Sequence, residues 1–287
     1  MKVHLLIVLA VAATTALAPT PANAWGREGH SIVAAIAEAH LTPQAREAID
    51  NLLSTVEPGS TMESVAGWAD TVRTRDTSHW HFMNYPQGDC AYRPPVECAD
   101  GNCLVQAFHR ELTILADTAQ PLQDRETALK FVIHLTGDAE MPLHDWAPDH
   151  GGNGYQVQFG GRGTNIHHVW DTELIRQYAM APIGQSEQGG TMMDNLAAVL
   201  GEGRPDYRAY TRTLISESFA VPYSPSTDPI AWTQSACRVA NRSGILPGRE
   251  VTATYVAHWR PVVEVQLIKA GLQLAAVLNE AFGPPHA

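Results

Sequence analysis

The sequence predicts an all-α fold in a single domain, on three observations. Most periodic segments place apolar residues three and four positions apart, as one face of a helix does. Only one short segment alternates in the manner of a strand. No glycine- or serine-rich linker, repeat or low-complexity tract divides the 287 residues into separate units.

Residues 1–24 have the pattern of a secretory signal peptide. Lys2 precedes an apolar stretch, and the segment ends in the A-x-A cleavage pattern "ANA". The apolar run is too short to span a bilayer, and no later segment is expected to be long and apolar enough to do so. We therefore expect cleavage after Ala24, a folded domain over residues 25–287, and a secreted or periplasmic protein without a membrane anchor.

Eight later segments have the helical period. Asp124 has the position of an N-cap, with acids early in its helix. Pro261 is expected to bend the last helix near its first third or to mark its true start. The segments are residues 30–41, 42–54, 104–117, 124–138, 165–179, 208–220, 228–240 and 253–282.

Long loops are expected between these helices, at residues 56–65, 84–103, 145–164 and 181–205. Within the third loop, "YQVQFG" alternates and sits among glycines, so it predicts at most a small hairpin.

The charge balance limits how the protein can bind nucleic acid. The formal net charge is −11, so a broad basic face for a polyanion is excluded. A protein of this charge that handles phosphate needs positive charge from another source, and metal ions are the obvious one.

All four cysteines lie after the signal segment, and an even number in an exported chain suggests two disulfides. The short separation of Cys98 and Cys103 suits a local loop, which leaves Cys90 to pair with Cys237. A zinc–thiolate cluster is the alternative, but no C-x-x-C pair is present.

The thirteen histidines include several at metal-ligand spacing from an aspartate. His134 and Asp138 are four residues apart, as are His167 and Asp171, so each pair shares one helix face. Further candidates are Asp70, His79, His81 and His144.

Any one of these residues is more often a surface group or a hydrogen-bonded core group than a ligand. The joint set of nitrogen and oxygen donors favours zinc over calcium or magnesium. Burying it without a metal would be costly in desolvation. A di-iron site of the ferritin type would need E-x-x-H pairs, and the chain has none.

Several motifs follow one another along the chain: "WG..GH", "WAD", "HWHF.N", "H..GD", "PLH", "GGN" and "H.VWD". In identity, order and spacing they resemble the S1/P1 nuclease family, from Trp25 to the C-terminal region. These proteins are secreted, all-α phosphodiesterases with three zinc ions that act on single-stranded nucleic acids. The resemblance implies the helical fold shared by zinc-dependent phospholipase C and P1 nuclease.

The resemblance also gives Trp25 a role. The mature N-terminal residue of this family is a zinc ligand through its α-amino nitrogen and carbonyl oxygen, which implies cleavage directly before Trp25. His81 matches the ligand rather than His79, because it directly precedes Phe82 as in the family's "HF" motif. The implied sets are Trp25, His30 and Asp138 for one zinc, Asp70, His81, His134 and Asp138 for a second, and His144, His167 and Asp171 for a third.

The implied mechanism uses a water bridged by two zinc ions as a source of hydroxide, which attacks phosphorus in line. Asp70, Arg73 and Asp138 are the implied catalytic residues, with Arg73 and the third zinc stabilising negative charge on the phosphoryl oxygens. DNA and RNA would then yield 5′-phosphorylated products, and 3′-nucleotides would also be hydrolysed. A solvated surface arginine is the alternative for Arg73.

Phe82 and Asn84 resemble the family's base pocket, where a ring stacks on a base and a polar side chain binds its edge. Stacking requires the base to be outside a duplex, which accounts for single-strand preference. Core packing is the alternative for Phe82. Asn153 lies in the matching Gly–Gly–Asn loop and is assigned near the site.

Two departures from the family pattern concern the neighbourhood of the ligands. Glu140 and Met141 stand where the family often has His and Gln, which implies different support of the metal ligands. Asn84 stands where some relatives have Asp, which could change base preference.

Two other functions remain open at this point. A zinc-dependent phospholipase C shares the fold and the N-terminal tryptophan, but it uses Glu where this chain has Asp171. A non-catalytic secreted zinc-binding protein would not need the complete ligand set. No obligate protein partner is evident in the sequence.

Overall fold

The computed structural model describes residues 25–180 and 205–283. The expected signal peptide, residues 1–24, and all but the last residue of the expected loop 181–205 lie outside these ranges. The α-helices, in chain order, are α1 (Arg27–Ala39), α2 (Pro43–Val56), α3 (Met62–Val65), α4 (Trp68–Thr71), α5 (Pro94–Glu97), α6 (Leu104–Ala116), α7 (Leu122–Asp138), α8 (Ile166–His168), α9 (Leu174–Met180), α10 (Tyr207–Ser218), α11 (Pro229–Ala240) and α12 (Ala253–Ala281).

Shorter elements complete the described chain. Three 3₁₀ turns cover Ser78–His81, Ala99–Gly101 and Pro142–Asp145. A π turn, Val169–Glu173, joins α8 to α9.

The mainly helical class and the small hairpin are both confirmed. Strands β1 (Gln156–Phe159) and β2 (Arg162–Asn165) pair antiparallel, with Phe159 opposite Arg162. The two residues between them, Gly160 and Gly161, have φ of 56° and 75°. Two consecutive positive φ values are what a tight hairpin turn needs, and glycine adopts them without strain.

All eight helices expected from periodicity are present, but Asp124 is not an N-cap. Helix α7 begins at Leu122, directly after Pro121 at the capping position. Asp124 lies in the first turn, where its charge faces the positive end of the helix dipole. An acidic side chain is favourable both at the N-cap and within the first turn of a helix, so the sequence alone does not tell which of these two positions Asp124 occupies.

Pro261 does not mark the start of the last helix. Helix α12 begins at Ala253, where the Thr252 side chain accepts from the Tyr255 N–H, and it runs through Pro261. Buried residues lie on both sides of the proline, including Trp259 and Val263. Packing on both sides holds the helix together although proline removes one backbone hydrogen bond.

The loops expected at 56–65 and 84–103 are in part wrong, because the first contains one short helix and the second contains two short helical elements. Helix α3 lies in the first, with Thr61 and Ser64 forming a capping box. Helix α5 and the 3₁₀ turn Ala99–Gly101 lie in the second. A turn of four residues is too short for an apolar period to be visible in the sequence.

Helix α12 also corrects the expectation that no later segment is apolar enough to cross a membrane. By length and composition it qualifies, with a mean hydropathy of 1.4 over its most apolar window. However, 72% of that window is buried inside the fold. The helix packs against α1, α7 and α10, and a helix covered on several sides is apolar over most of its circumference.

The core is one continuous cluster in the described residues, built mainly from α1, α6, α7 and α12. Helix α1 packs along α12, and α6 along α7. Two disulfides fasten the edge of this core, and they are the pairs suggested by the cysteine spacing. Cys90–Cys237 joins the segment before α5 to α11, and Cys98–Cys103 closes a short loop.

Candidate metal centre

The histidines and aspartates singled out in the sequence meet inside the fold, near the C-terminal end of α7. Eight of the nine ligand candidates are buried, and the Asp70 side chain is 8% exposed. Trp25 precedes α1, and the others lie on α1 (His30), α4 (Asp70), the turn Ser78–His81 (His81), α7 (His134, Asp138), the turn Pro142–Asp145 (His144) and the segment α8 to the π turn (His167, Asp171).

Four of these side chains point their donor atoms at a common point. His81 Nδ1 lies 3.1 Å from His134 Nε2 and 3.0 Å from Asp138 Oδ2, and the last two atoms are 3.2 Å apart. Asp70 Oδ1 is 3.7 Å from His81 Nδ1 and 3.6 Å from His134 Nε2. Ligands bonded to a tetrahedral zinc at about 2.0–2.1 Å lie about 3.3 Å from one another. The observed spacing fits such an ion.

The second oxygen of Asp138 faces a different group. Oδ1 is 3.4 Å from His30 Nε2, on the other side of the carboxylate from His81 and His134. The His30 ring also stacks on the His134 ring, with centroids 3.9 Å apart. A carboxylate with its two oxygens turned to two sets of donors has the arrangement of a bridge between two cations. A further grouping within 4.8 Å joins His30, Asp70 and His134, so these donors form one continuous cluster.

Gly137 makes the close approach of His30 to α7 possible. A Cβ at this position would lie 2.7 Å from His30 Nδ1 and 3.7 Å from the Trp25 ring. Any side chain would therefore displace His30 from its place beside Asp138. The glycine before Asp138 is required by packing rather than by a special backbone conformation.

The third group consists of His144, His167 and Asp171, whose donor atoms lie within 4.8 Å of one another. His167 Nε2 is 3.1 Å from Asp171 Oδ2, and the His144 and His167 rings stack with centroids 5.1 Å apart. Asp171 lies within the π turn, a widened turn that is frequent at functional sites. His144 Nδ1 is also 3.8 Å from Asp138 Oδ1, so this group adjoins the cluster around Asp138.

Backbone carbonyls fix the orientation of three histidines. Because a carbonyl can only accept, each ring donates its Nδ1–H to it, so in the neutral form of the ring Nε2 carries no proton and its lone pair can bind a metal. No sequence signal reveals these partners, since any residue supplies a carbonyl. The bonds are His134 Nδ1 to Ala66 O (2.8 Å), His144 Nδ1 to His81 O (2.6 Å) and His167 Nδ1 to Gly151 O (2.7 Å).

Many donor atoms of the centre are buried without a hydrogen-bond partner. A group of this kind costs free energy that a bound cation would recover. The donor set of imidazole nitrogens and carboxylate oxygens suits zinc. The unpartnered atoms that face the centre include His30 Nε2, Asp70 Oδ1, Asp138 Oδ1, His167 Nε2 and Asp171 Oδ1.

The protein's own charges show how strongly the centre attracts positive charge. Burial alone would lower the pKa of His134, yet the charges of Asp138 and Asp70 raise it to about 9. Burial raises the pKa of Asp171 to about 6. Without a metal, protons occupy places that a cation would take, so metal binding and proton release are coupled.

A cavity of about 380 Å³ opens onto the third group. Arg73 lies in its wall, and its Nη2 donates to the Ser78 carbonyl at 2.8 Å. Asn84 has a positive φ of 56°, which asparagine tolerates better than most residues, and its N–H donates to the His144 carbonyl. The lining residues are Arg73, His79, Phe82, Asn84, Leu143, His144, Ala147, His150, Gly151, Asn153 and His167.

The cavity brings together the four residues that the sequence assigned to substrate: Arg73, Phe82, Asn84 and Asn153. Asn153 donates its side-chain amide to the His150 carbonyl at 2.9 Å. His79 lies in the cavity wall with its ring edge-on to Phe82, at 5.4 Å between centroids, whereas His81 lies in the cluster around Asp138.

Sequence reasoning gave no role to several lining residues, among them Leu143, Ala147 and His150. Leu143 is the middle residue of the "PLH" motif but has the character of an ordinary core residue, and Ala147 and His150 lie in a loop without a period.

Comparisons with known proteins agree with this geometry. The sequence model described as S1/P1 nuclease matches residues 25–283. Endonuclease 2 of Arabidopsis thaliana is 32% identical and aligns over 91% of this chain and 91% of its own. Nuclease S1 of Aspergillus oryzae is 29% identical over 93% of this chain and 95% of its own. Nuclease P1 of Penicillium citrinum is 27% identical over 90% and 98%.

Proposed function

Since this chain belongs to the S1/P1 nuclease family, we propose that it hydrolyses single-stranded DNA and RNA to 5′-phosphorylated products at a centre of three zinc ions. It is a zinc-dependent nuclease specific for single strands. The number of ions, the ligand of each ion, the nature of the products and 3′-nucleotidase activity are the parts that we propose. The observation that carries the proposal is that eight of the nine predicted ligands, all but Trp25, bring their side-chain donor atoms together in three adjoining groups.

The assignment of ligands follows the two faces of Asp138. One ion would be held by Trp25, His30 and Asp138 Oδ1, and a second by Asp70, His81, His134 and Asp138 Oδ2. The distances of 3.0–3.7 Å among the second set support it. The remaining ion would be held by His144, His167 and Asp171, supported by their grouping within 4.8 Å.

Bound zinc supplies positive charge against the phosphate and lowers the pKa of a coordinated water, which is the source of the nucleophile. Asp70 and Asp138 would each offer a carboxylate oxygen to the second ion, and Asp138 would offer its other oxygen to the first. Arg73 lies in the same cavity as His144 and His167, so its guanidinium can donate to a phosphoryl oxygen bound there. Its charge would stabilise the transition state, in which negative charge on those oxygens increases.

The remainder of the cavity would hold the base next to the scissile phosphate. Phe82 offers a ring face for stacking, and Asn84 offers an amide that can donate and accept. Asn153 lines the same cavity. A base can enter only if it is unpaired, which accounts for the preference for single strands.

Export and processing are part of the same proposal. The two disulfides agree with an oxidising compartment outside the cytoplasm. We propose that a signal peptide of residues 1–24 is removed and that residues 25–287 form the nuclease domain. Cleavage after Ala24 would free the α-amine of Trp25 for the first ion.

The test is a substrate panel for the exported, signal-cleaved protein. Single-stranded DNA, single-stranded RNA, the matching duplexes, a 3′-nucleotide and phosphatidylcholine vesicles are incubated before chelation, after chelation and after zinc restoration. We expect zinc-restored cleavage of the single strands and the 3′-nucleotide, 5′-phosphate ends on the products, and intact lipid. Cleavage of lipid alone would replace the proposal with a phospholipase C. Stoichiometric zinc without any hydrolysis would make the chain a zinc-binding protein.

A further inference from the structure

Glu140 is a buried carboxylate that the reaction described above does not use. It lies two residues after Asp138, in the segment between the ligands Asp138 and His144, and its exposed fraction is 0%.

Three side chains of α12 donate to this carboxylate. Gln266 Nε2 and Lys269 Nζ reach Oε2 at 2.7 and 3.0 Å, and Gln273 Nε2 reaches Oε1 at 2.8 Å. All three groups donate, so the ionised form of Glu140, which only accepts, fits this environment. Lys269 supplies the compensating charge that a buried carboxylate needs.

The same side chains reach beyond Glu140. Gln266 Nε2 also donates to the Glu140 backbone carbonyl at 2.9 Å, so it holds both the main chain and the side chain of this residue. Lys269 Nζ donates to Ser235 Oγ on α11 at 2.8 Å, and Gln273 donates to the Tyr223 hydroxyl at 2.6 Å. The position of Glu140 is therefore fixed by α12 with support from α11 and the segment before it.

The backbone around Glu140 connects it to both neighbouring ligands. The Met141 N–H donates to the Asp138 carbonyl at 3.1 Å, and the His144 N–H donates to the Met141 carbonyl at 3.0 Å. Asp138 and His144 thus lie at the two ends of a double turn, which consists of two consecutive hydrogen-bonded turns that share Met141, with Glu140 inside the first. A shift of this double turn would move a ligand of the paired ions and a ligand of the third ion together.

We propose that Glu140, held by Lys269 and Gln266, is a positioning residue of the metal centre: it anchors the turn between Asp138 and His144 to α12 and so sets the distance between their ligand atoms. This role rests on the proposed zinc function and deepens it. Ligands that are not held in place bind metal more weakly, and partners of metal ligands typically account for about 10- to 100-fold in metal affinity or activity.

The experiment compares Glu140→Gln with Glu264→Gln in the full, signal-cleaved protein. Glu264 is a buried carboxylate of α12 that is 8% exposed. It pairs with Arg260 at 2.8 Å, and Arg260 is not one of the metal ligands. The readouts are zinc bound per chain, zinc affinity against a chromogenic chelator, melting temperature, and kcat and KM on single-stranded DNA.

For Glu140→Gln we expect zinc affinity and kcat to fall about tenfold or more, with KM changed less than about twofold and part of the activity restored by excess zinc. Glu264→Gln should lower the melting temperature about as much as Glu140→Gln does, and it should leave zinc affinity and kcat unchanged. A Glu140→Gln variant that is destabilised but has wild-type zinc affinity and kcat would overturn the positioning role.

Gln266→Met serves if Glu140→Gln does not fold, because it removes both bonds from Gln266 to Glu140 without changing a charge. It should weaken zinc binding in the same direction, and wild-type affinity in this variant would also overturn the role. If the wild-type protein binds no zinc, both the proposed function and this inference are overturned. If the wild-type protein binds its full zinc and the variants match it in zinc affinity and kcat, only the inference is overturned.

Discussion

Asp138 lies within 4 Å of four histidines of the metal centre, His30, His81, His134 and His144. Its Oδ2 lies 3.0 Å from His81 Nδ1 and 3.2 Å from His134 Nε2, and its Oδ1 lies 3.4 Å from His30 Nε2. The charge on His134, against the effect of burial, holds the pKa of Asp138 well below its usual range. This carboxylate is thus ionised at neutral pH and available to two cations.

Replacing Asp138 with Asn should disconnect the two cations. The amide has one acceptor oxygen and no charge, so we expect at least one zinc per chain to be lost. The loss of several kcal/mol of charge stabilisation should reduce kcat by about a hundredfold or more. The matched control is Asp124→Asn, at an exposed site on the same helix, which should keep its zinc content and its kcat. Unchanged zinc content in Asp138→Asn, measured by metal analysis, would contradict the bridge.

Arg73→Ala tests whether the guanidinium acts on the substrate rather than on the metals. Removing one donor to the developing negative charge typically costs about 10²–10³ in kcat. We expect a loss of this size with full zinc content, and Arg75→Ala, exposed two residues away, should have wild-type rates. A loss of zinc in Arg73→Ala, or a wild-type kcat, would show that Arg73 has another role.

At this scale the sequence predicted the donor atoms but not their supports. The four-residue spacing of His134 and Asp138 follows from helix geometry, so the sequence was sufficient to identify the pair. The carbonyls of Ala66, His81 and Gly151 carry no side-chain signal. The bonds from α12 to Glu140 join residues more than a hundred positions apart, which periodicity cannot relate.

At the scale of elements, the His134–Asp138 pair on α7 makes the metal-free protein depend on pH. The pKa of His134 is raised from 6.5 to about 9, because the charges of Asp138 and Asp70 outweigh burial. A raised histidine pKa stabilises the fold fully below pH 6.5 and loses this contribution as the pH rises through about 9. Zinc binds the neutral ring of His134, so the affinity for zinc increases as the pH rises.

We therefore expect the metal-free protein to become less stable between pH 6.5 and about 9, while apparent zinc affinity increases over the same window. Thermal unfolding after chelation gives the first quantity, and calorimetry in two buffers of different ionisation enthalpy gives proton release for the second. Zinc binding at pH 7.5 without proton release would contradict the account.

Among the elements themselves, the long helices followed from their period and the short ones did not. In helix α12, packing decides whether the helix continues through a proline, and periodicity does not reveal packing. Pro261 is tolerated because Trp259 and Val263 on either side of it are both buried. The π turn that contains Asp171 has no known sequence signature in this chain. It became visible only with the backbone.

At the scale of the whole molecule, export and activity are connected through the first residue of the described fold. Trp25 is fully buried, and the Gly26 N–H donates to the Asp171 carbonyl at 2.8 Å. The chain start is thus attached both to the cluster around His30 and to the segment of the third group. An additional residue before Trp25 would have to share this space.

A protein that retains Ala24 before Trp25 should therefore lose one zinc and most of its activity, because the α-amine is converted to an amide. Mass spectrometry confirms the N-terminus, and metal analysis with a nuclease assay gives the outcome. The correctly cleaved protein, prepared in parallel, is the control. Full activity with Ala24 retained would refute the role of the N-terminus.

The fold class was predictable from the sequence, whereas the arrangement of the helices was not. Amphipathic patterns tell which face of α1 is buried, but not that it packs on α12 at the far end of the chain. The cysteine spacing was informative because only a few pairings of four residues exist. The apolar character of α12 was misjudged, since a helix covered on several sides by protein has the composition of one that crosses a membrane.

The measurement that tests the central claim most directly is a zinc titration of the chelated, signal-cleaved protein, with cleavage of single-stranded DNA followed at each step. The account predicts that activity returns only as the third equivalent of zinc binds, and that other added divalent ions of the calcium type do not restore it. Full activity with one equivalent, or in the continued presence of the chelator, would contradict a three-zinc centre around Asp138.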